Sequence, residues 1–355
     1  AVPFFIAEVQ AGDDADVVSR PALPQFHVNP DRIAVAGFSS GADFAIQMQV
    51  AFSRGVKGLC AFTGQPYHCA ATRFPTDPLP PHSDWNSATS WGSPPDLCSD
   101  CPEGTTLFAD HCKGWLGASP SVVEVDALVD YTLGVAAAGE IDPVENLHGR
   151  RIYLEAGGED EIYLNGTLRN NVDFFGRLSN QSIDLRAERR FDLDHNIPLP
   201  GASSCLNFLW PDAMEPGLQE PDLRRLKEFD QTEFFDHQIG FGSHGYYYAP
   251  EGCLQASHAP ACQLLVVAMG CGSVGADAIL ESGFLDWAEG ARVVMVFPQT
   301  GGWPEDTCGF ARWQCFDSYG LNGPDYALQS GPQMAAVWQM MQRAAGPALA
   351  DAMPD

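Results

Sequence analysis

Short apolar runs alternate along this chain with stretches of helical spacing. Arg32 to Ala36, Val56 to Thr63, Arg151 to Ala156 (RIYLEA) and Ile183 to Arg189 read as strands. So do Gly245 to Ala249, Gln263 to Met269 (QLLVVAM) and Arg292 to Phe297 (RVVMVF). Asp43 to Ser53 puts Phe44, Met48 and Phe52 on one helical face. Val122 to Ala138, Thr167 to Ser179 and Gln329 to Ala345 read as helices. Continuous apolar strands separated by helices predict an α/β chain, with a largely parallel sheet covered on both faces. Two segments break the rhythm. Thr72 to Lys113 is rich in Pro, Ser, Asp, Trp and Cys, and Pro198 to Phe241 is polar and irregular. Both read as insertions above the sheet near 72–113 and 198–241. Without repeats or a flexible linker, residues 1–355 are expected to form one domain.

One strand-to-helix junction carries chemistry. Gly37-Phe38-Ser39-Ser40-Gly41 fits G-x-S-x-G after a buried strand and before a helix. A tight turn there projects the Ser39 hydroxyl clear of the backbone, and small flanking residues relieve the crowding. The helix N-terminus favours an oxyanion, and the N–H of Ser40, just past the nucleophile, is a natural donor to it. A serine hydroxyl needs a histidine base held by a carboxylate. In the order serine, acid, histidine, Asp160 follows the strand and Gly-Gly turn of RIYLEAGGED, and His195 follows a later strand. Glu159, Asp192 and Asp194 could serve as the acid by chemistry alone. The second oxyanion donor usually comes from a strand end before the nucleophile, but too little chain precedes Ser39. The buried strand ending at Met269-Gly270-Cys271 is the best source, and it lies far towards the C-terminus. If it serves, the chain order is circularly permuted.

Composition narrows the partners. Nineteen Lys and Arg against 46 Asp and Glu give a formal net charge of -27. That argues against nucleic acid and anionic membrane surfaces as partners, because their phosphates are bound by Lys and Arg. No stretch approaches the apolar length of a membrane helix. Eleven cysteines suit an oxidising compartment. The start at Ala1 suits a mature form whose signal peptide is gone, so a secreted or periplasmic location is expected. Asn165-Gly166-Thr167 and Asn180-Gln181-Ser182 are sequons that matter only in a glycosylating host. Cys98 and Cys101 with His111 and Cys112 have a spacing that zinc could use, but in an oxidising compartment disulfides are favoured.

The motifs together resemble the single-domain extracellular poly(3-hydroxybutyrate) depolymerases, whose α/β-hydrolase domain is circularly permuted. They are GFSSGA at Gly37 to Ala42, GQPYHCA at Gly64 to Ala70, and GEIDPVENLHGRRIYLEAGGED at Gly139 to Asp160. GYYYAPEGC at Gly245 to Cys253, CQLLVVAMGC at Cys262 to Cys271 and FPQT at Phe297 to Thr300 follow. CFDSYG and SGPQMAAVWQMM, between Cys315 and Met341, complete the set. The resemblance implies a serine carboxylester hydrolase with Ser39 as nucleophile, Asp160 as acid and His195 as base. It implies an oxyanion hole from the N–H groups of Ser40 and Cys271. No metal or organic cofactor is required, and a monomer is expected. The expected disulfides are Cys253–Cys262, Cys69–Cys112, Cys271–Cys315 and Cys98–Cys101. Two departures stand out. The family usually has His-Gly-Cys where this chain has Met269-Gly270-Cys271, and Trp where this chain has Phe316. Phe316, Trp303 and Trp313 are candidate substrate contacts, and Trp85 and Trp91 could face polymer. Esterases for polylactide-like, feruloyl or acetyl esters are alternatives on this scaffold. A non-catalytic polymer-binding protein is a rival of another class.

Overall fold

The computed structural model describes residues 20–69, 123, 125–180, 182–196, 199–213, 219–254, 261–301, 314–318, 320–346 and 349. Eight strands form one sheet: β1 (Val28–Phe38), β2 (Gly58–Phe62), β3 (Arg151–Gly157), β4 (Asp184–Arg190), β5 (Leu226–Asp230), β6 (His244–Tyr248), β7 (Cys262–Ala268) and β8 (Val293–Phe297). The helices are α1 (Ser40–Ala51), α2 (Val125–Ala137), α3 (Asn165–Leu178), α4 (Leu199–Leu209), α5 (Gly275–Glu281) and α6 (Pro332–Ala345). Across the sheet the order is β4-β3-β2-β1-β7-β8-β6-β5. All neighbours from β4 through to β8 run parallel, and the β8–β6 and β6–β5 pairs run antiparallel. This is the mostly parallel α/β-hydrolase sheet expected from the sequence.

The pairing of β1 explains the early serine. β1 sits between β2 and β7, with Ala36 opposite Cys60 on one side and Val267 on the other. One neighbour therefore comes next in the chain, and the other comes more than 200 residues later. Everything on the β7 side is supplied by the C-terminal half, which is the permuted arrangement. Buried residues of β1, β2, β7 and β8 face two cores, one on each side of the sheet. That is why these strands read as continuous apolar runs rather than alternating ones.

Pro198 to Phe241 was expected to be an irregular insertion, and the structure corrects this. The segment contains α4, whose buried Ala202, Cys205, Leu206 and Leu209 pack on the second core. It also supplies β5, the edge strand paired with β6. The other expected insertion, 72–113, lies outside the described residues, as do Trp85 and Trp91. The disulfides Cys253–Cys262 and Cys271–Cys315 are present. A third, Cys60–Cys205, ties β2 to α4 and was not foreseen. Cys69 is disulfide-bonded, but the Cys69–Cys112 and Cys98–Cys101 pairings fall outside the described residues.

One buried base makes the fold acid-sensitive. His68 is buried, with its ring stacked on Tyr131 at 3.9 Å and on Tyr326 at 5.2 Å. Burial pushes its pKa down to about 3 from the ordinary 6.5. The folded chain thus binds this proton more weakly than the unfolded chain. The resulting stability is complete above pH 6.5 and is lost as the pH falls towards 3, a cost on the order of 4 kcal/mol. Urea midpoints between pH 7 and pH 3.5 are expected to drop in the parent, with a shallower drop in His68→Gln.

Candidate active site

The serine turn is built by its glycines. Ser39 closes β1 with φ 57° and ψ -125°, a left-handed backbone that strains a residue with a Cβ. The strain is held by the close approach of the elements around it. A Cβ on Gly37 would sit 2.0 Å from the carbonyl oxygen of Gly41, and one on Gly41 would sit 2.0 Å from that of Ala268. The first glycine lets the strand fold back on its helix. The second lets the helix start touch the end of β7. Ser39 is therefore presented above the C-terminal edge of the sheet, where α1 begins.

Three separated segments converge on it. His195, in the loop after β4, has Nε2 3.0 Å from Ser39 Oγ and Nδ1 2.9 Å from Asp160 Oδ2. Asp160 lies in the loop after β3 and is buried. Its Oδ1 accepts the N–H groups of Ile162 at 2.8 Å and Tyr163 at 2.7 Å. A carboxylate offers only acceptors, so Nδ1 carries the imidazole proton. That leaves the lone pair of Nε2 facing the serine O–H, as a base requires. Close backbone contact brings the two loops together. A Cβ on Gly157 would meet the carbonyl oxygens of Leu193 and Asp194 within 2.5 Å, and the Glu159 N–H donates to Leu193 O at 2.9 Å. Of the acids weighed from sequence, Asp160 is the one in contact with His195.

The donor side of the site is also assembled. Ser40 opens α1, where backbone N–H groups lack an intrahelical acceptor. A Cβ on Gly270 would lie 3.4 Å from Ser39 Cβ, so the Met269-Gly270-Cys271 turn at the end of β7 runs beside the nucleophile. The Cys271–Cys315 disulfide fastens that turn to residues 314–318. There, the Phe316 N–H donates to Ser40 Oγ at 3.4 Å. Met269 replaces a polar residue with an apolar one that is buried in the second core, against which Phe38 packs. The Phe316 ring is buried against Phe44 and Phe241, at 4.9 and 5.8 Å. Trp303 and Trp313 lie outside the described residues.

Two groups escaped the sequence reading. Asp43, one helical turn beyond Ser39, is buried and accepts from the Gln65 N–H at 2.7 Å, Tyr163 O–H at 2.8 Å and Ser318 O–H at 3.0 Å. Glu155 on β3 is buried beneath the acid loop and accepts from Tyr153 O–H and Arg190 Nε. Burial pushes the Glu155 carboxyl up despite those donors. A charged residue in an apolar run is the signal both left, since such residues are almost never buried unless paired. Among the described residues, no group of three or more His, Cys, Asp and Glu could hold a metal.

Comparison with known proteins agrees with this reading. No protein-family model matches the chain. Over 346 residues the chain is 29% identical to the poly(3-hydroxybutyrate) depolymerase of Delftia acidovorans, covering 90% of this chain and 61% of that protein. Over 358 residues it is 26% identical to the polyhydroxybutyrate depolymerase of Talaromyces funiculosus, covering 90% and 91%. The chain thus spans 61% of the length of the Delftia relative. Two solved structures share the fold. One is a PHB depolymerase complexed with an R3HB trimer, at TM-score 0.68 and 21% identity. The other is a PHB depolymerase from Penicillium funiculosum, at TM-score 0.66 and 22% identity. Each covers 91% of this chain and 98% of the solved chain. The resemblance read from the motifs is borne out.

Proposed function

We propose, from this kinship with poly(3-hydroxybutyrate) depolymerases, that the chain is a serine carboxylester hydrolase that cleaves poly(3-hydroxybutyrate) or its oligomers. The observation that carries the reading is the continuous hydrogen-bonded path from Ser39 through His195 to Asp160. His195 Nε2 takes the proton of Ser39 as Oγ bonds to the ester carbonyl carbon. The carbonyl oxygen becomes an oxyanion held by the N–H groups of Ser40 and Cys271. Collapse breaks the ester C–O bond, and the imidazolium returns the proton to the departing alcohol. Water, deprotonated by the same His195, then releases the 3-hydroxyacid and frees Ser39. This chemistry needs no cofactor. The disulfides among the described residues support a secreted or periplasmic location. No helix among the described residues is long and apolar enough to cross a membrane. The reading includes a monomer, which sedimentation of the purified chain tests.

Substrate choice is tested with a panel. Hydroxybutyrate dimers and trimers are expected to turn over with kcat/KM at least about tenfold above lactate oligomers and feruloyl or acetyl esters, a difference worth about 1.4 kcal/mol. Faster turnover of feruloyl esters would move the assignment to that class. A folded chain that no fluorophosphonate labels would leave a polymer-binding protein as the reading.

A further inference from the structure

We propose that Tyr163 and Asp43 act as a positioning pair for His195: the Tyr163 ring, anchored by its hydroxyl on the buried Asp43 carboxylate, holds the imidazole in line with Ser39 and stabilises it once protonated. The inference rests on the hydrolase reading above and deepens it. Tyr163 is buried, and three of its contacts end in the active site. Its N–H donates to Asp160 Oδ1 at 2.7 Å. Its ring lies parallel to the His195 ring, with 2° between the planes and 5.5 Å between centroids. Its O–H donates to Asp43 Oδ2 at 2.8 Å. Asp43 in turn donates its own N–H to the carbonyl of Ser39 at 3.1 Å. Tyr163 thus touches the acid through its backbone, and the base and the helix that carries the nucleophile through its side chain.

A tyrosine that merely filled the core would need only some polar partner for its hydroxyl. Here the partner is a carboxylate fixed from two further directions by Gln65 and Ser318, so the ring has little freedom to slide along the imidazole. The offset parallel geometry is a favoured one for two rings. A hydroxyl that donates to a carboxylate enriches its ring in electrons, and an electron-rich face attracts a cation. His195 becomes that cation when Ser39 Oγ hands its proton to Nε2. Phe38 supplies a second ring, tilted by 37° at 4.9 Å, and carries no such anchor.

Among the described residues, the titratable groups facing His195 are few. Asp160 faces Nδ1 from the loop after β3, Ser39 faces Nε2 from the elbow, and Tyr163 faces the ring plane. Asp43 acts through Tyr163 from α1, and Asp192 and Asp194 share the histidine's own loop.

Tyr163→Phe keeps the ring and removes the anchor, and Tyr163→Leu removes both. On a soluble hydroxybutyrate ester, Tyr163→Phe is expected to lower kcat about three- to fivefold with KM little changed, and Tyr163→Leu to lower it further. The imidazole proton resonances of His195, followed by NMR, are expected to move in Tyr163→Phe and to move further in Tyr163→Leu, which loses the stacked ring. Tyr163→Phe combined with Asp43→Asn should be no slower than Asp43→Asn alone, since the two act through one bond. If Asp43→Asn does not fold, the Tyr163 variants decide. Unchanged His195 ring resonances in folded Tyr163→Phe and Tyr163→Leu would overturn the proposal, as would unchanged kcat in both. The resonances are read without turnover. A parent that hydrolyses no ester but shows these shifts would defeat the hydrolase reading and leave the pairing intact.

Discussion

Replacing Ser39 with alanine is expected to lower kcat on hydroxybutyrate esters by about 10⁵- to 10⁶-fold, the loss seen when a triad nucleophile is removed elsewhere. The protein should otherwise be unchanged. Ser39 Oγ makes its one described hydrogen bond to His195, at 3.0 Å, and alanine keeps the Cβ and the strained backbone. Thermal unfolding should therefore shift little, and binding of a hydroxybutyrate trimer should persist in the inactive variant. In the proposed mechanism the residual rate reflects the donors of Ser40 and Cys271 and the bound substrate's orientation. These act without the triad. A variant that kept a tenth of the parent activity would show that another group attacks the ester.

Gly41→Ala is expected to cost about 3 kcal/mol or more of stability, because overpacking at a rigid site forces the backbone apart. The added Cβ would meet Ala268 O at 2.0 Å, Ala268 C at 2.4 Å and Met269 O at 2.5 Å. All three are backbone atoms, so no side chain can swing away. Relief requires α1 to lift from the end of β7. That movement would also separate Ser40 from the Met269-Gly270-Cys271 turn and spread the two proposed oxyanion donors. Guanidinium unfolding and kcat should fall together, and losing one such donor alone costs about 10²- to 10³-fold in rate. Gly176→Ala is the control. It lies in α3, and a Cβ there meets nothing within 4 Å, so alanine is expected to stabilise that helix slightly.

The two glycine contacts mark what was legible in the chain and what was not. G-x-S-x-G announced a tight turn, and tightness is a local property that residue type encodes. The order of Ser39, Asp160 and His195 was also legible, because each stands just past a recognisable strand. Even the permutation left a trace. QLLVVAMGC is an apolar run that ends in a small-residue turn, and it supplies the strand beside β1.

Features set by distant packing left weaker marks. β5, with the sequence LKEFD, buries fully only Phe229 and has no apolar run to betray a strand. α4 begins Leu-Pro-Gly, punctuation that reads as a loop, and gains its helix from packing on the second core. α5 is short, at seven residues, and follows a glycine-rich turn. The Cys60–Cys205 disulfide joins residues 145 apart, and spacing says nothing about such pairs. The role argued for Asp43 and Tyr163 depends on three loops meeting, which no single segment encodes.

The central claim is that ester cleavage proceeds through an acyl-enzyme on Ser39. Its most direct test is to mix the protein with an activated 3-hydroxybutyrate ester, quench in acid within the first turnover, and map the adduct by peptide mass spectrometry. The account predicts a 3-hydroxybutyryl group on the peptide carrying Ser39, with no adduct in Ser39→Ala. Turnover with an adduct on any other residue, or with none at any quench time, would contradict it.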